Sequence, residues 1–187
     1  MGAHELSRLH SKSWLAALAL AVTLTVSVAP GDALARTLEP GKPIVSGEFG
    51  PSFLFDSRLG GSSAYLMVGA NLEYPFDKSL SAVGNVAFGL AGSQQLKLRG
   101  GARYHITGLD LPVAPYGEGH LVLGQLFDIL GTDLGFYGIR AGVGADYFLT
   151  GELIAGLKLG YEITRSSGPN PVWFTQLELI ATASFVF

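Results

Sequence analysis

Ionisable residues stand at alternate positions in one short stretch of the sequence. The odd-numbered positions there include Lys97, Arg99, Arg103 and His105, and most residues between them are apolar. A side-chain period of two is what a β-strand produces, because successive Cβ atoms point to opposite faces. One face of this strand could therefore pair with carboxylates or line an ion path, depending on which residues lie opposite.

Covalent and metal chemistry has few candidates in this chain. Cysteine is absent, which excludes a disulfide framework, a thiol nucleophile and a thiolate-bound metal. His105 and His120 are the two histidines that follow the first 35 residues, and neither belongs to a cluster of ligands with metal-site spacing. No glycine-rich loop leads from a strand into a helix. We expect no cofactor, no metal and no catalytic residue.

The alternation continues along the chain in segments of about ten to fourteen residues, separated by clusters of Gly, Pro, Asn, Asp and Ser. These segments predict strands over residues 45–55, 64–74, 80–90, 96–106, 113–124, 136–148, 152–164 and 173–187. Eight strands are the smallest number expected of a single-chain membrane barrel. We therefore predict an all-β fold, an eight-stranded antiparallel up-and-down transmembrane β-barrel.

The charged face of each strand is expected to point into the barrel. Its acids and bases are Glu48, Glu73, Lys97, Arg99, Arg103, Glu118, Arg140, Asp146, Lys158, Glu162 and Glu178. Five bases meet six acids, so pairing can nearly neutralise the interior, and buried charges persist only when they are paired. Eight strands enclose a space that side chains can fill. We expect these charges to fill the lumen; the alternative is a gated ion path.

Small inward residues should leave room for those long side chains. The inward glycines of this kind are Gly101, Gly142, Gly144 and Gly156. The inward residues predict no apolar pocket of any size.

The opposite face of the strands is apolar. An unpaired backbone N–H or C=O costs several kcal/mol in hydrocarbon, so a sheet in a membrane must close. The soluble alternative is a lipocalin-type barrel with this face turned inward, but its outside would need more charge than the 14% charged residues supply. The net charge of −3 leaves no basic surface for nucleic acid.

Four connections are predicted on the outer side of the membrane, at residues 57–63, 92–95, 125–135 and 165–172. Three further connections, at residues 75–79, 107–112 and 149–151, are predicted on the periplasmic side and are mostly shorter. Aromatic residues gather near strand ends on the apolar face, where two interfacial girdles are expected. They are Tyr74, Tyr104, Tyr137, Tyr147, Tyr161, Trp173 and Phe187.

The start of the sequence is typical of a cleaved export signal. Basic residues precede an apolar stretch that ends at a Pro-Gly pair, and Ala33 and Ala35 supply the small-x-small pattern of a cleavage site. A membrane anchor helix is the alternative, but the apolar stretch is short for one. We predict a signal peptide over residues 1–35 and a barrel domain over residues 36–187.

The last strand carries Phe185 and Phe187 on its apolar face. This end resembles the terminal strand of bacterial outer-membrane β-barrel proteins, whose closing aromatic residue is read by the barrel-assembly machinery. The segments 100–104 (GGARY) and 142–147 (GVGADY) add to the resemblance, and the chain from residue 36 onward is similar to the small OmpA/OmpX-like barrels.

That resemblance implies a monomer in the outer membrane of a Gram-negative bacterium, in contact with outer-membrane lipid. It also implies that the assembly machinery reads Phe185 and Phe187 as an insertion signal. The expected function is a structural role in envelope integrity, and a narrow channel or small-molecule conduit is the alternative.

A lipid-modifying enzyme is a further alternative. The lipid A deacylases, an outer-membrane enzyme family, use a His-x-Ser pair with a carboxylate on an eight-stranded barrel. The segment His105-Ile106-Thr107 resembles that spacing, but Thr replaces Ser and no Asn follows. We therefore predict that the protein is not an enzyme.

Leu157 tests the assignment of inside and outside, because it is predicted to face lipid near the middle of the membrane. Replacing Leu157 by Arg should lower the free energy of unfolding by about 2–4 kcal/mol, the cost of a base at the bilayer midplane. Urea unfolding of the barrel in lipid vesicles measures this, with Leu157→Ala as the uncharged control. An unchanged urea midpoint for Leu157→Arg would show that the assignment is wrong.

Overall fold

The computed structural model describes residues 38–56, 61–91, 94–109, 111–129, 132–168 and 170–187. The predicted signal peptide lies outside this part of the chain. The strands are β1 (Ile44–Asp56), β2 (Gly61–Pro75), β3 (Leu80–Ala91), β4 (Gln95–His105), β5 (Ala114–Ile129), β6 (Thr132–Phe148), β7 (Leu153–Ser166) and β8 (Trp173–Val186). Each strand pairs antiparallel with the next, and β8 pairs with β1. The predicted eight-stranded antiparallel barrel is confirmed.

The barrel has two ends, which we name after residues of β1. The Ile44 end carries the connections from β2 to β3, from β4 to β5 and from β6 to β7, together with the last residues of β8. The Phe55 end carries the four remaining connections.

Side-chain burial alternates along the strands as their period of two requires. In β4, Lys97 is fully buried, whereas the next residue, Leu98, is 54% exposed. Leu121 and Val143 on neighbouring strands are also largely exposed. Among the strand residues whose side chains the structure describes, the charged ones on the outer face are Asp133 and Arg165. The barrel therefore has a polar interior and an apolar exterior, the reverse of a water-soluble barrel.

The predicted connection over residues 125–135 is wrong. β5 continues to Ile129 and β6 begins at Thr132, so this pair of strands extends well beyond the predicted ends. Leu126 pairs with Leu134 in the ladder, and the register then shifts at a bulge. The segment is polar enough at Gln125 and Asp133 to suggest a loop, yet these two side chains face each other across the hairpin, 3.2 Å apart.

β1 and β8 close the barrel along a seam that is interrupted once. Pairing runs from Ile44 towards Phe49 and resumes at Ser52, opposite Glu178. The interruption falls at Gly50 and Pro51, and a proline has no N–H to donate to a ladder. A Cβ on Gly50 would lie 2.0 Å from the carbonyl oxygen of Leu179, so the close backbone approach here requires glycine.

The turn between β2 and β3 spans residues 76–79, one residue shorter than predicted because Pro75 belongs to β2, and it is held by one carboxylate. Asp77 Oδ1 accepts hydrogen bonds from the backbone amides of Ser79 (2.7 Å) and Leu80 (2.8 Å). These two bonds favour the ionised form and hold the pKa of the Asp77 carboxyl below its ordinary value of 3.8.

Asp77 should therefore make stability depend on pH in the acid range. Its pKa is lower in the folded chain, so the stabilisation is present above the ordinary pKa and is lost as pH falls through the lower, folded value. We expect Asp77→Asn to be less stable than the unaltered chain at neutral pH, with a difference that shrinks as the pH falls below the ordinary pKa of 3.8. Urea unfolding across this range measures it, and Glu152→Gln, on another exposed turn, is the control. A difference that does not change with pH would contradict this role of Asp77.

Candidate functional site: a charge network in the barrel interior

The eleven charged residues predicted to point inward all lie inside the barrel, and none is more than 6% exposed. We call this set the charge network. It comprises Glu48, Glu73, Lys97, Arg99, Arg103, Glu118, Arg140, Asp146, Lys158, Glu162 and Glu178. Seven of the eight strands contribute to it, so its members meet only when the barrel is closed.

Glu178 on β8 is the first of two acceptors on which several bases converge. It takes hydrogen bonds from Arg99 and from Arg140 Nε (3.0 Å), and the Lys97 ammonium lies 3.2 Å from it. Glu162 on β7 also binds two of these bases, Arg99 and Lys97. Its oxygens lie 2.8 Å from Arg99 Nη2 and 2.9 Å from Lys97 Nζ.

Glu118 on β5 is the second acceptor. Arg103 Nη2 donates to it at 2.8 Å, Arg140 Nη1 donates to its other oxygen, and Lys158 Nζ lies 3.8 Å away. Arg140 therefore connects Glu118 to Glu178, and the two clusters form one continuous network.

The network ends near the Ile44 end in two branches. In the first, Arg103 Nη1 binds Glu73 at 2.6 Å, and Asp146 lies 3.9 Å from the same nitrogen. In the second, Lys158 pairs with Glu48. Asn85, which the sequence analysis did not assign to the network, donates from Nδ2 to Glu48 at 2.9 Å.

The two histidines lie beside carboxylates of the network. His105 Nε2 is 2.9 Å from Glu73, and His120 Nε2 is 3.5 Å from Glu118. Within the described part of the chain, no group of His, Asp or Glu side chains is arranged to hold a metal ion. The Thr107 hydroxyl, which follows His105 in the deacylase-like segment, lies 3.4 Å from the Ser79 hydroxyl.

Buried apolar side chains also lie inside the barrel towards both of its ends, which sequence reasoning missed. The Phe55-end layer consists of Leu54, Tyr65, Met67, Ala87, Val122, Leu126, Phe136, Phe174 and Ile180. This layer overlaps the charge network, because Ala87 pairs with Lys97 and Ile180 lies beyond Glu178 on β8. The Ile44-end layer consists of Leu38, Ile44 and Ile154, with Phe148 and Val186 packed against them. Two cavities of about 210 and 120 Å³ lie at the Ile44 end, and both are bordered by Leu38 and Phe148. The sequence did contain a sign of the Phe55-end layer. Phe136, Phe174 and Leu126 are each an even number of positions from an inward charged residue of the same strand, so the alternation of a strand points them inward.

Inward glycines make room for long inward side chains, as expected for three of the four predicted positions. A Cβ on Gly142 would lie 3.2 Å from Arg140 and from Glu118, one on Gly144 would meet the Tyr116 ring, and one on Gly156 would meet Asp146. Gly101 is different, because its Cβ would meet the backbone of Gly119. Gly160, which the sequence analysis did not single out, lies directly against the Arg140 guanidinium.

Some buried polar atoms have no protein hydrogen-bond partner. Among them are both ring nitrogens of His120, both amide atoms of Asn71 and of Gln95, and Arg99 Nε and Nη1. The interior thus combines acid–base pairs, which hold side chains in place, with polar groups that retain hydrogen-bonding capacity.

The two aromatic residues at the end of the chain lie on the outer surface. Phe185 is 42% exposed and Phe187 is 65% exposed, and their rings meet edge to face with centroids 5.0 Å apart. The Phe187 amide donates to the Pro43 carbonyl, 3.0 Å away, which ties this end to the segment before β1.

Comparison with known proteins identifies the fold. No model of a known protein family matches this sequence, and no curated protein matches it. Neisserial surface protein A superposes with a TM-score of 0.62 at 17% identity, over 78% of this chain and 97% of that one. The N-terminal β-barrel domain of Pseudomonas aeruginosa OprF gives 0.58 at 14% identity, over 80% and 100% of the two chains. The outer membrane protein OprG of the same organism gives 0.51 at 14% identity, over 81% and 98%.

The chain has the outer-membrane β-barrel fold. Its eight strands and its closure between β1 and β8 are those of this fold. No helix in the described residues is long and apolar enough to cross a membrane.

Removing the Glu178 carboxylate tests whether the charge network stabilises the fold. Glu178→Gln keeps the shape but leaves Lys97, Arg99 and Arg140 without a shared counter-charge in a buried site. We expect a loss of about 3–5 kcal/mol in the free energy of unfolding. The matched control is Glu39→Gln, whose exposed ion pair with Lys42 should contribute about 0–1 kcal/mol. Equal losses in the two variants would show that the buried pairs do not stabilise the barrel.

Proposed function

We propose that this protein spans the outer membrane of a Gram-negative bacterium as a monomeric barrel that is closed by its own side chains. Its role is structural, a contribution to envelope integrity. The observation that carries the proposal is the buried charge network together with the apolar layers towards the two ends of the interior. A barrel of eight strands has an interior that such side chains can fill.

The exterior supports the membrane location. Outward positions carry exposed Leu, Ile, Val and Phe side chains, which in water would form an apolar surface far beyond what a soluble monomer exposes. The aromatic residues Tyr74 and Tyr104 lie near the Ile44 end of their strands, and Tyr137 and Trp173 lie near the Phe55 end. Two aromatic girdles flanking an apolar band are typical of membrane barrels.

The proposed route to the membrane rests on the two ends of the sequence. Residues 1–35 act as a cleaved export signal, and Phe185 and Phe187 on β8 are read by the barrel-assembly machinery. The exposure of both aromatic rings on the outer surface supports their availability to that machinery. We assign no enzymatic activity, no cofactor and no nucleic-acid partner to the protein.

A narrow channel is the second candidate. It is favoured by the buried polar atoms without protein partners, such as those of His120, Asn71 and Gln95, because such atoms could bind water along a path. The apolar layer at the Phe55 end argues against conduction, since Phe136 and Phe174 are almost fully buried within it.

Single-channel recording in a planar bilayer distinguishes the two candidates. We expect the refolded chain to be silent, while the heat-sensitive gel shift of folded barrels confirms that it has inserted. The double variant Phe136→Ala, Phe174→Ala removes the bulk of the Phe55-end layer and should increase leakage if that layer is the seal. Steady conductance steps from the unaltered, folded chain would contradict the closed barrel and favour the channel.

A further inference from the structure

Arg165 is the one base on the outer face of the strands among the side chains that the structure describes. It lies on β7, on the row that also carries Leu157 and Leu159. An isolated guanidinium on an apolar exterior is costly unless a partner of opposite charge is present. The inference drawn from it rests on the proposed membrane location.

Two aromatic residues flank Arg165 in the sheet. Tyr137 on β6 and Trp173 on β8 are its direct cross-strand partners, so the three side chains form one row across neighbouring strands. The Arg165 guanidinium carbon lies 5.7 Å from the centroid of the Trp173 ring, a cation–π distance. Tyr137 is 47% exposed and Trp173 is 60% exposed, so the row faces outward.

Among the residues whose side chains the structure describes, Arg165 is the strand arginine without a carboxylate partner. Arg99, Arg103 and Arg140 each pair with at least one buried glutamate. In the described residues, no acidic side chain forms an ion pair with Arg165, and its Nε is buried without a protein hydrogen-bond partner. An anion from outside the chain would supply what is missing.

The height of Arg165 on the barrel indicates where that anion lies. Leu153, the first residue of β7, and Arg165 are on the same outward row, twelve positions apart. At about 3.3 Å per residue this separation is about 40 Å along the strand. A strand tilt of about 35–45° reduces it to roughly 30 Å along the membrane normal, the thickness of the hydrocarbon core. Arg165 is therefore placed at the level of lipid headgroups.

We propose that Arg165, Tyr137 and Trp173 form a binding site for the phosphate group of a membrane lipid at the Phe55 end of the barrel. Guanidinium groups bind phosphate through paired N–H donors in a fixed fork. The Tyr137 hydroxyl and the Trp173 indole N–H are further donors at the same height, and both rings offer apolar area to the lipid beneath its headgroup.

Trp173 provides a direct probe of this site. The sequence contains two tryptophans, so in the full chain carrying Trp14→Phe all tryptophan fluorescence comes from the proposed site. The folded protein in a maltoside detergent, which contains no phosphate, is titrated with lipid A, with dephosphorylated lipid A and with phosphatidylglycerol. We expect saturable changes in Trp173 fluorescence with a phosphorylated lipid and none with dephosphorylated lipid A. Whether lipid A or phosphatidylglycerol binds more tightly identifies the source of the phosphate.

Substitutions of Arg165 test the role of its guanidinium. Arg165→Gln should weaken binding of the phosphorylated lipid about tenfold. The affinity of Arg165→Lys should lie between those of Arg165→Gln and the unaltered chain, because lysine keeps the positive charge but lacks the paired N–H donors of a guanidinium. Lys42→Gln, which removes an exposed base at the opposite end, is the matched control and should leave the affinity unchanged.

The gel shift is measured for each variant, which separates this site from the proposed membrane function. Equal affinities for Arg165→Gln and the unaltered chain, both folded, would overturn the phosphate site and leave the barrel proposal intact. Equal binding of dephosphorylated lipid A would overturn it too. A chain that does not insert into membranes at all would instead contradict the proposed function.

Discussion

The pairing of β8 with β1 is the constraint on which the rest of this structure depends. It removes the two sheet edges that an open eight-stranded sheet would leave, and with them the unpaired backbone groups that hydrocarbon cannot solvate. The seam tolerates one interruption, at Gly50 and Pro51, where close approach to Leu179 replaces regular pairing. Closure also creates the interior, because it brings side chains from both ends of the sequence within reach of each other.

That interior contains a network of acid–base pairs as well as buried apolar side chains. Glu178 and Glu118 each gather several bases, and Arg140 connects them. Moving a charge out of water costs free energy, and a buried charge is tolerated only where a partner of opposite charge offsets that cost. The apolar layers lie towards both ends of this interior, and a low-dielectric surrounding strengthens the electrostatic attraction between paired charges. In the proposed function, packing and electrostatics act together to close the barrel.

Most of the fold could be predicted from the sequence, since strand parity determines which side chains point inward. The network's pairs could not be predicted from parity. Arg140 meets Glu118 diagonally on the adjacent strand β5 and reaches Glu178 two strands away on β8, and these contacts depend on the register and stagger of the strands. The long β5–β6 hairpin was missed because polar Gln125 and Asp133 suggest a loop, although they pair across it. The apolar layers were not predicted because each strand contributes only a few inward apolar residues to them.

Solid-state NMR on the barrel in lipid bilayers tests the central claim, that the charges inside the barrel are paired with one another. With ¹⁵N in arginine and ¹³C in the glutamate carboxylates, the Arg140 Nε–Glu178 Oε2 distance of 3.0 Å predicts a strong dipolar contact between the Arg140 side chain and the Glu178 carboxyl carbon. If the contact disappears in Glu178→Gln, it is assigned to the Arg140–Glu178 pair. A folded barrel that shows no arginine–glutamate contact would contradict the account, because its interior charges would then be hydrated separately instead of paired.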